Sequence, residues 1–307
     1  MGVNLSVNIG SLTLKNPIIT ASGTFGYGIE YSGKMDISEI GAMVTKGLSA
    51  KPRNGNPMPR ICETPSGMIN SIGLENIGIK NFEKEKLPLL RDTGATVIAN
   101  FFGETRKEFV DTARRLDRMD GVHALEMNVS CPNIKKGLEF GQDPVELGKL
   151  TAAVKKIVNK PLIVKLSPNV ADIKPCAIAV QEGGADAISA INTLRAMSVD
   201  SARRKPRLNK IFGGLSGPAI KPVALLMVYE CAQTVNIPVI GTGGITSLED
   251  VLEFMIAGAA AVQLGTMNFI EPDISARLVK ELAGYCEEKG IGNVSDITGS
   301  LETQRTG

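Results

Sequence analysis

The chain has no tryptophan, one histidine and five cysteines in 307 residues, and aromatic residues make up only 4% of it. Each scarcity excludes something. The cysteines (Cys62, Cys131, Cys176, Cys231 and Cys286) are scattered, with no CxxC pair, so no disulfide framework, zinc knot or iron–sulfur site is expected within the chain. A reducing cytoplasm is the expected compartment. Any mechanism needing a histidine base or a His-rich metal site must rest on His123. That residue precedes a strand, the wrong end for a barrel active site, so a structural role is expected and no metal. No apolar run reaches the ~18 residues of a membrane span. The opening Met1-Gly2-Val3-Asn4-Leu5 lacks a basic segment followed by an apolar core, so no secretory signal is expected. Gly2 follows Met1, but apparent strand begins at once, which sets lipidation aside. A net charge of +2 leaves no electrostatic footprint for nucleic acid.

What remains is ordinary for a soluble globular protein, with 43% hydrophobic and 21% charged residues. Residues 3–9 alternate, Gly10-Ser11 turns, and 12–14 run back, which predicts a small hairpin capping one end of the domain. Eight short apolar runs come next, at 18–21, 42–45, 96–99, 124–127, 162–164, 187–190, 238–240 and 261–264. Helical spacing covers 81–90, 104–116, 144–158, 173–182, 218–234, 247–257 and 274–289, with a weaker pattern over 31–40. Strands alternating with helices imply parallel pairing, and eight units predict a (β/α)₈ TIM barrel formed by residues 1–307 as a single domain. An open doubly wound sheet is the runner-up, but its early Gly-rich turn is missing. Two long connections, 47–79 and 193–217, leave C-terminal strand ends and are expected to cover the barrel mouth. The basic run Arg203-Arg204-Lys205-Pro206-Arg207 reads as a solvated loop face.

A barrel does its chemistry at the C-terminal strand ends. These deliver Ser22-Gly23, Lys46-Gly47, Asn100, Asn128, Lys165, Asn192-Thr193, Gly241-Thr242-Gly243-Gly244 and Gly265-Thr266 to one rim. The glycines after strands 7 and 8, with a helix starting near Ser247, suit a phosphate dianion; the alternative is tight turns needing positive φ. Lys165 is either a Schiff-base former or a fixed cation, as suits a flavin that gains negative charge on reduction. The absence of a carboxylate or histidine at these ends speaks against the Schiff base. Lys46 and the amides of 70–76 suit a small anion carrying amide or imide groups; a turn-rich loop would look the same. In Asn128-Val129-Ser130-Cys131-Pro132-Asn133, a thiol sits on a turn after strand 4. It is a proton-transfer group, a nucleophile, or merely a small half-buried residue.

Taken together, Thr20-Ala21-Ser22-Gly23, Thr45-Lys46-Gly47, Asn70-Ser71-Ile72-Gly73-Leu74, Asn128 to Asn133, Val164-Lys165-Leu166-Ser167-Pro168, Ile191-Asn192-Thr193, Gly214-Leu215-Ser216-Gly217 and Gly241-Thr242-Gly243-Gly244-Ile245 resemble the class 1 dihydroorotate dehydrogenases. The resemblance spans nearly the whole chain in order. Cys131, where the membrane-linked class 2 has serine, points to class 1. The segment 134–141 is similar to the NAD-linked class 1B more than to the fumarate-linked subtype.

The resemblance implies an FMN enzyme of pyrimidine synthesis that oxidises (S)-dihydroorotate to orotate. Cys131 would remove the proton from carbon 5. Lys46, Asn70, Ser71, Ile72, Gly73, Leu74, Asn128, Asn192 and Thr193 would hold the substrate. Ser22, Lys46, Gly47, Asn100, Asn128, Lys165, Ile191, Gly217, Gly243, Gly244, Gly265 and Thr266 would hold FMN. Class 1B further implies a partner subunit carrying FAD and a [2Fe–2S] cluster, which passes electrons to NAD⁺ in a heterotetramer built on a homodimer of this chain. The alternatives are a flavin barrel reductase acting on dihydropyrimidines, a fumarate-linked dihydroorotate dehydrogenase, a Schiff-base aldolase built on Lys165, and a non-catalytic flavin-binding subunit.

Overall fold

The computed structural model describes residues 2–130 and 140–303. In chain order its strands begin with the hairpin β1 (Val7–Ile9) and β2 (Leu12–Leu14), then β3 (Ile18–Thr20) and β4 (Ala42–Val44). Next come β5 (Ile61–Thr64), β6 (Gly67–Asn70), β7 (Val97–Phe101), β8 (Ala124–Asn128), β9 (Leu162–Lys165) and β10 (Ala187–Ala190). The series ends with β11 (Leu194–Ala196), β12 (Val199–Asp200), β13 (Lys205–Pro206), β14 (Gly213–Ser216), β15 (Val239–Thr242) and β16 (Ala259–Leu264).

Eight of these strands close a parallel barrel in the order β3-β4-β7-β8-β9-β10-β15-β16. The chain therefore folds as a (β/α)₈ TIM barrel. Strands covered by helices on one face and packed inward on the other are apolar throughout rather than alternating. Accordingly, every residue of β3, β4, β7, β9, β10 and β15 is buried. The outer helices start where their caps dictate. Thr105 accepts from the Glu108 N–H to open Arg106–Asp117, and Asp143 accepts from Val145 and Glu146 to open Pro144–Lys155. Phe109, Ala113 and Leu116, at three- and four-residue spacing, bury the inner face of the first of these.

The N-terminal hairpin packs against the end of the barrel where the strands begin. Gly10 permits the contact. Its φ is +61°, and a Cβ there would lie 2.7 Å from the Cβ of Asp186, just before β10. His123 belongs to the same end: its N–H donates to the Val97 carbonyl, and its Nδ1 accepts the Val97 N–H at 3.0 Å. It starts the β7–β8 pairing, a structural role.

Two expectations are corrected. The helical pattern over 31–40 forms turns and bends, and only a single 3₁₀ turn, Ile29–Tyr31, leads into it. Short side-chain bonds take its backbone instead: Asp36 accepts the Ser38 N–H, and Glu30 accepts the Tyr27 N–H. The helix predicted over 81–90 starts at Gly78 and widens to a π turn at Phe82–Lys86, where the Leu87 N–H reaches back to Phe82. Pro88 comes next, and its ring would clash with the Lys84 carbonyl in a regular turn. The two long connections cover the barrel mouth, as expected. They pair with each other in one antiparallel sheet, β11-β14-β6-β5, while the basic run turns the small β12–β13 ribbon.

Candidate active site

The four-stranded sheet roofs the C-terminal strand ends and encloses a cavity of about 1190 Å³. That exceeds the roughly 300–1,000 Å³ of a pocket for one drug-sized ligand, so two ligands fit side by side. The strand ends β3, β4, β7, β8, β9, β10, β15 and β16 all reach it, and so does the 70–74 loop of the roof. All the sequence-predicted site residues among those described converge on this cavity, from Ser22 and Lys46 through Asn70 to Leu74, Lys165 and Asn192 to Thr266.

Cys131, Pro132, Asn133 and residues 134–139 lie outside the described residues. Ser130, immediately before Cys131, lines the cavity, and its N–H donates to Asn128 Oδ1 at 3.2 Å. Beyond the gap, the Gly141 N–H donates to the Val129 carbonyl at 3.2 Å. Among the described residues no thiol lines the cavity. Cys176, Cys231 and Cys286 are buried in the shell, where desolvation pushes their thiols up, Cys231 to about 12.

At the turns after β15 and β16, among the described residues no acceptor receives the backbone N–H of Gly243, Gly244 or Gly265. At the start of the next helix, Leu248–Ile256, several N–H groups are already taken. Asp250 accepts from the N–H groups of Thr246 (2.7 Å) and Ser247 (3.1 Å), and Ser247 Oγ accepts from Asp250 in return. Lys221 pairs with that carboxylate and with Glu253. Gly243, Gly244 and Gly265 line the cavity and Leu248 and Glu249 do not, so the free donors facing it are those of the glycine turns.

On the roof side, the 70–74 loop is pinned. Asn56 donates its N–H to the Ile72 carbonyl and its Nδ2 to Ser71, and Ser71 donates to the Arg60 carbonyl. Gly73 adopts φ +81°, and a Cβ there would lie 2.6 Å from the Asn56 nitrogen, so the position calls for glycine. Leu74 adopts φ +61°, a rare conformation for a bulky residue. Arg60 pairs with Glu75 at 2.5 Å. Lys46, across the cavity, is pushed below the usual lysine value by burial, which Glu75 opposes and Arg60 reinforces. Asn192 Nδ2 donates to Asn128 Oδ1 at 3.2 Å, tying two adjacent predicted ligand residues together. Ser71 Oγ and Asn100 Oδ1 are buried with no hydrogen-bond partner among the described residues. Each is a group that a ligand could satisfy.

Below Lys165 lies a set of residues the sequence reading missed. Glu126, fully buried in β8, accepts from Asn100 Nδ2 (2.6 Å), Ser189 Oγ (2.9 Å) and Gln263 Nε2 (2.7 Å). Gln263 Oε1 accepts from Lys165 Nζ (3.1 Å) and Thr242 Oγ1 (3.0 Å). Lys165 Nζ stands 4.0 Å from Glu126 Oε1. A carboxylate therefore does lie near Lys165, and its supposed absence cannot be the ground for rejecting a Schiff base. The signal was strand parity. Glu126 is two residues before Asn128 and Gln263 two before Gly265, which puts each on the same inward face as its strand end.

Comparison with known proteins agrees with this architecture. The family model for dihydroorotate dehydrogenase matches residues 4–285. The "Dihydroorotate dehydrogenase B (NAD(+)), catalytic subunit" of Pelobacter propionicus is 53% identical over 303 residues, 98% of this chain and 100% of that protein. Proteins with the same designation from Trichlorobacter lovleyi and a Thermoanaerobacter species are 54% and 51% identical. They cover 97% and 98% of this chain, and 98% and 99% of their own.

Proposed function

The chain belongs to the dihydroorotate dehydrogenase family, and we propose that it oxidises (S)-dihydroorotate to orotate in pyrimidine synthesis, with FMN as its bound cofactor. One observation carries the reading. Free backbone N–H groups, a buried ammonium and a pinned loop of amides share one cavity with room for two ligands. The residues fit a flavin. The glycine turns suit its phosphate, and Lys165 suits the pyrimidine edge, where negative charge collects. The unpartnered Asn100 Oδ1 suits a ring N–H.

When bound, FMN supplies the acceptor for the hydride leaving carbon 6 of the substrate. Cys131 takes the proton from carbon 5, a task that needs a thiolate rather than a thiol. Gly217, Gly243, Gly244, Gly265 and Thr266 would hold the phosphate side of the cofactor. Ser22, Gly47, Asn100, Lys165 and Ile191 would hold its ring. Lys46 faces the substrate carboxylate, which restores the counter-charge that burial denies it. Asn70 to Leu74, Asn128, Asn192 and Thr193 orient the substrate ring. A second subunit bearing FAD and a [2Fe–2S] cluster would carry the electrons on to NAD⁺. The assembly is a cytoplasmic heterotetramer around a dimer of this chain. The relatives' designation as a catalytic subunit supports such a partner.

The test is an anaerobic visible spectrum of the purified chain. Bound flavin should bleach on addition of dihydroorotate, and NAD⁺ should not reoxidise it without the partner. A protein that stays colourless after incubation with FMN, or that bleaches with dihydrouracil but not dihydroorotate, would sink the reading. Rapid reoxidation by fumarate would remove the partner from it.

A further inference from the structure

Glu126 takes no part in the steps above, yet it is a fully buried carboxylate. A lone buried carboxylate is costly, so its partners must matter. A carboxylate only accepts hydrogen bonds, so Gln263 must turn its nitrogen toward Glu126 and its oxygen away. With that amide fixed, Gln263 Oε1 has one placement, facing Lys165 Nζ at 3.1 Å and Thr242 Oγ1 at 3.0 Å. Reversing the amide would set oxygen against carboxylate and nitrogen against ammonium. The ammonium carries three donors. Gln263 takes one, and Lys165 lines the cavity with the others. Glu126 also stands 4.0 Å from Nζ, where two opposite charges in the protein interior interact several times more strongly than in water.

We propose that Glu126 is a positioning residue for Lys165: through Gln263 it fixes where the ammonium sits, and it offsets part of the positive charge that Lys165 presents to the flavin. The inference rests on the flavin reading of the cavity. Its consequence is thermodynamic. The carboxylate holds down the affinity for reduced flavin relative to oxidised flavin, and so sets the potential at which substrate and partner exchange electrons with it.

The experiment uses the flavin-loaded protein and reads the midpoint potential of bound FMN against reference dyes, with thermal melting as a check on folding. Glu126→Gln keeps the side-chain volume and removes the charge. It should favour reduced over oxidised FMN about tenfold, an upward shift of about 30 mV for a two-electron couple. The double exchange Glu126→Gln with Gln263→Glu puts a carboxylate within hydrogen-bond reach of Lys165 and should bring the potential to or below that of the parent. Lys165→Met should lower the potential, and in that background Glu126→Gln should lose most of its effect. If Glu126→Gln does not fold alone, the double exchange, which keeps one carboxylate and one amide in the pair, is read in its place, and a potential above that of the parent overturns the proposal. An unmoved or lowered potential in Glu126→Gln, or a shift of undiminished size without Lys165, overturns the proposal. A Lys165→Met protein with an unmoved potential would instead sink the flavin reading, and this inference with it.

Discussion

The two ends of the barrel treat polar groups in opposite ways. Where the strands begin, side chains are paired among themselves. Asp186 accepts from Lys155 Nζ (2.5 Å) and the Leu162 N–H (2.7 Å), and Asp117 accepts from the N–H groups of Asn159 and Lys160. His123 is spent on Val97. Where the strands finish, Ser71 Oγ and Asn100 Oδ1 lack partners, and Lys46 is desolvated while Glu75 pairs with Arg60. One end is arranged for its own stability. The other holds interactions in reserve for something that is not protein, and a barrel can carry that cost because the opposite end is complete.

Substitutions at the two ends should therefore separate activity from stability. The largest effect is expected from Cys131→Ala. Flavin reduction by dihydroorotate should fall by about 10²–10⁴, the scale of a lost general base, with FMN still bound. Stopped-flow absorbance would measure it, and a loss under tenfold would remove Cys131 from the chemistry. Next is Lys46→Ala, which should weaken dihydroorotate binding by roughly 10–100-fold, the worth of a charge-assisted bond, without lowering the melting temperature. At the other end, Asp186→Ala should cost about 1–3 kcal/mol for the N–H it strands, with kcat unchanged. A urea titration beside a turnover assay checks both halves. The smallest effect concerns pH. Burial and Lys160 hold His123 below its free value of 6.5, so the unfolded chain binds that proton more readily. Stability should then decline as pH falls below about 6.5, and His123→Gln should flatten that decline in melting curves taken from pH 7.5 to 5.5. The ring reaches solvent, so the decline is shallow.

The barrel was legible because a parallel strand covered on both sides must be apolar along its length, and eight such runs stand out at 18–21 through 261–264. The site was legible for a related reason. Those runs stop abruptly, and the residues just past each stop face the mouth. Less could be read where the determinant is distant or masked. The roof depends on pairing Asn70 with Gly214, 144 residues apart, and no local pattern announces such a partner. Glu126 and Gln263 hide inside runs that read as apolar, although their even spacing from Asn128 and Gly265 was available. The capping box at Ser247 was visible, but not that Asp250 also takes the Thr246 N–H beside the glycine turn. Over 31–40, weak helical spacing lost to local Asx-type bonds such as that of Asp36.

The roof sheet binds the fates of two chain segments. Its middle seam joins β6 from one strap to β14 from the other, in a register where Gly214 faces Asn70 and Ser216 faces Met68. Slipping either strap by one residue would turn every side chain on it to the opposite face. A graft that brings 47–79 from a relative while leaving 193–217 native would therefore inherit half a ceiling. The shape of the chamber belongs to neither strap alone, and the two must change as a pair.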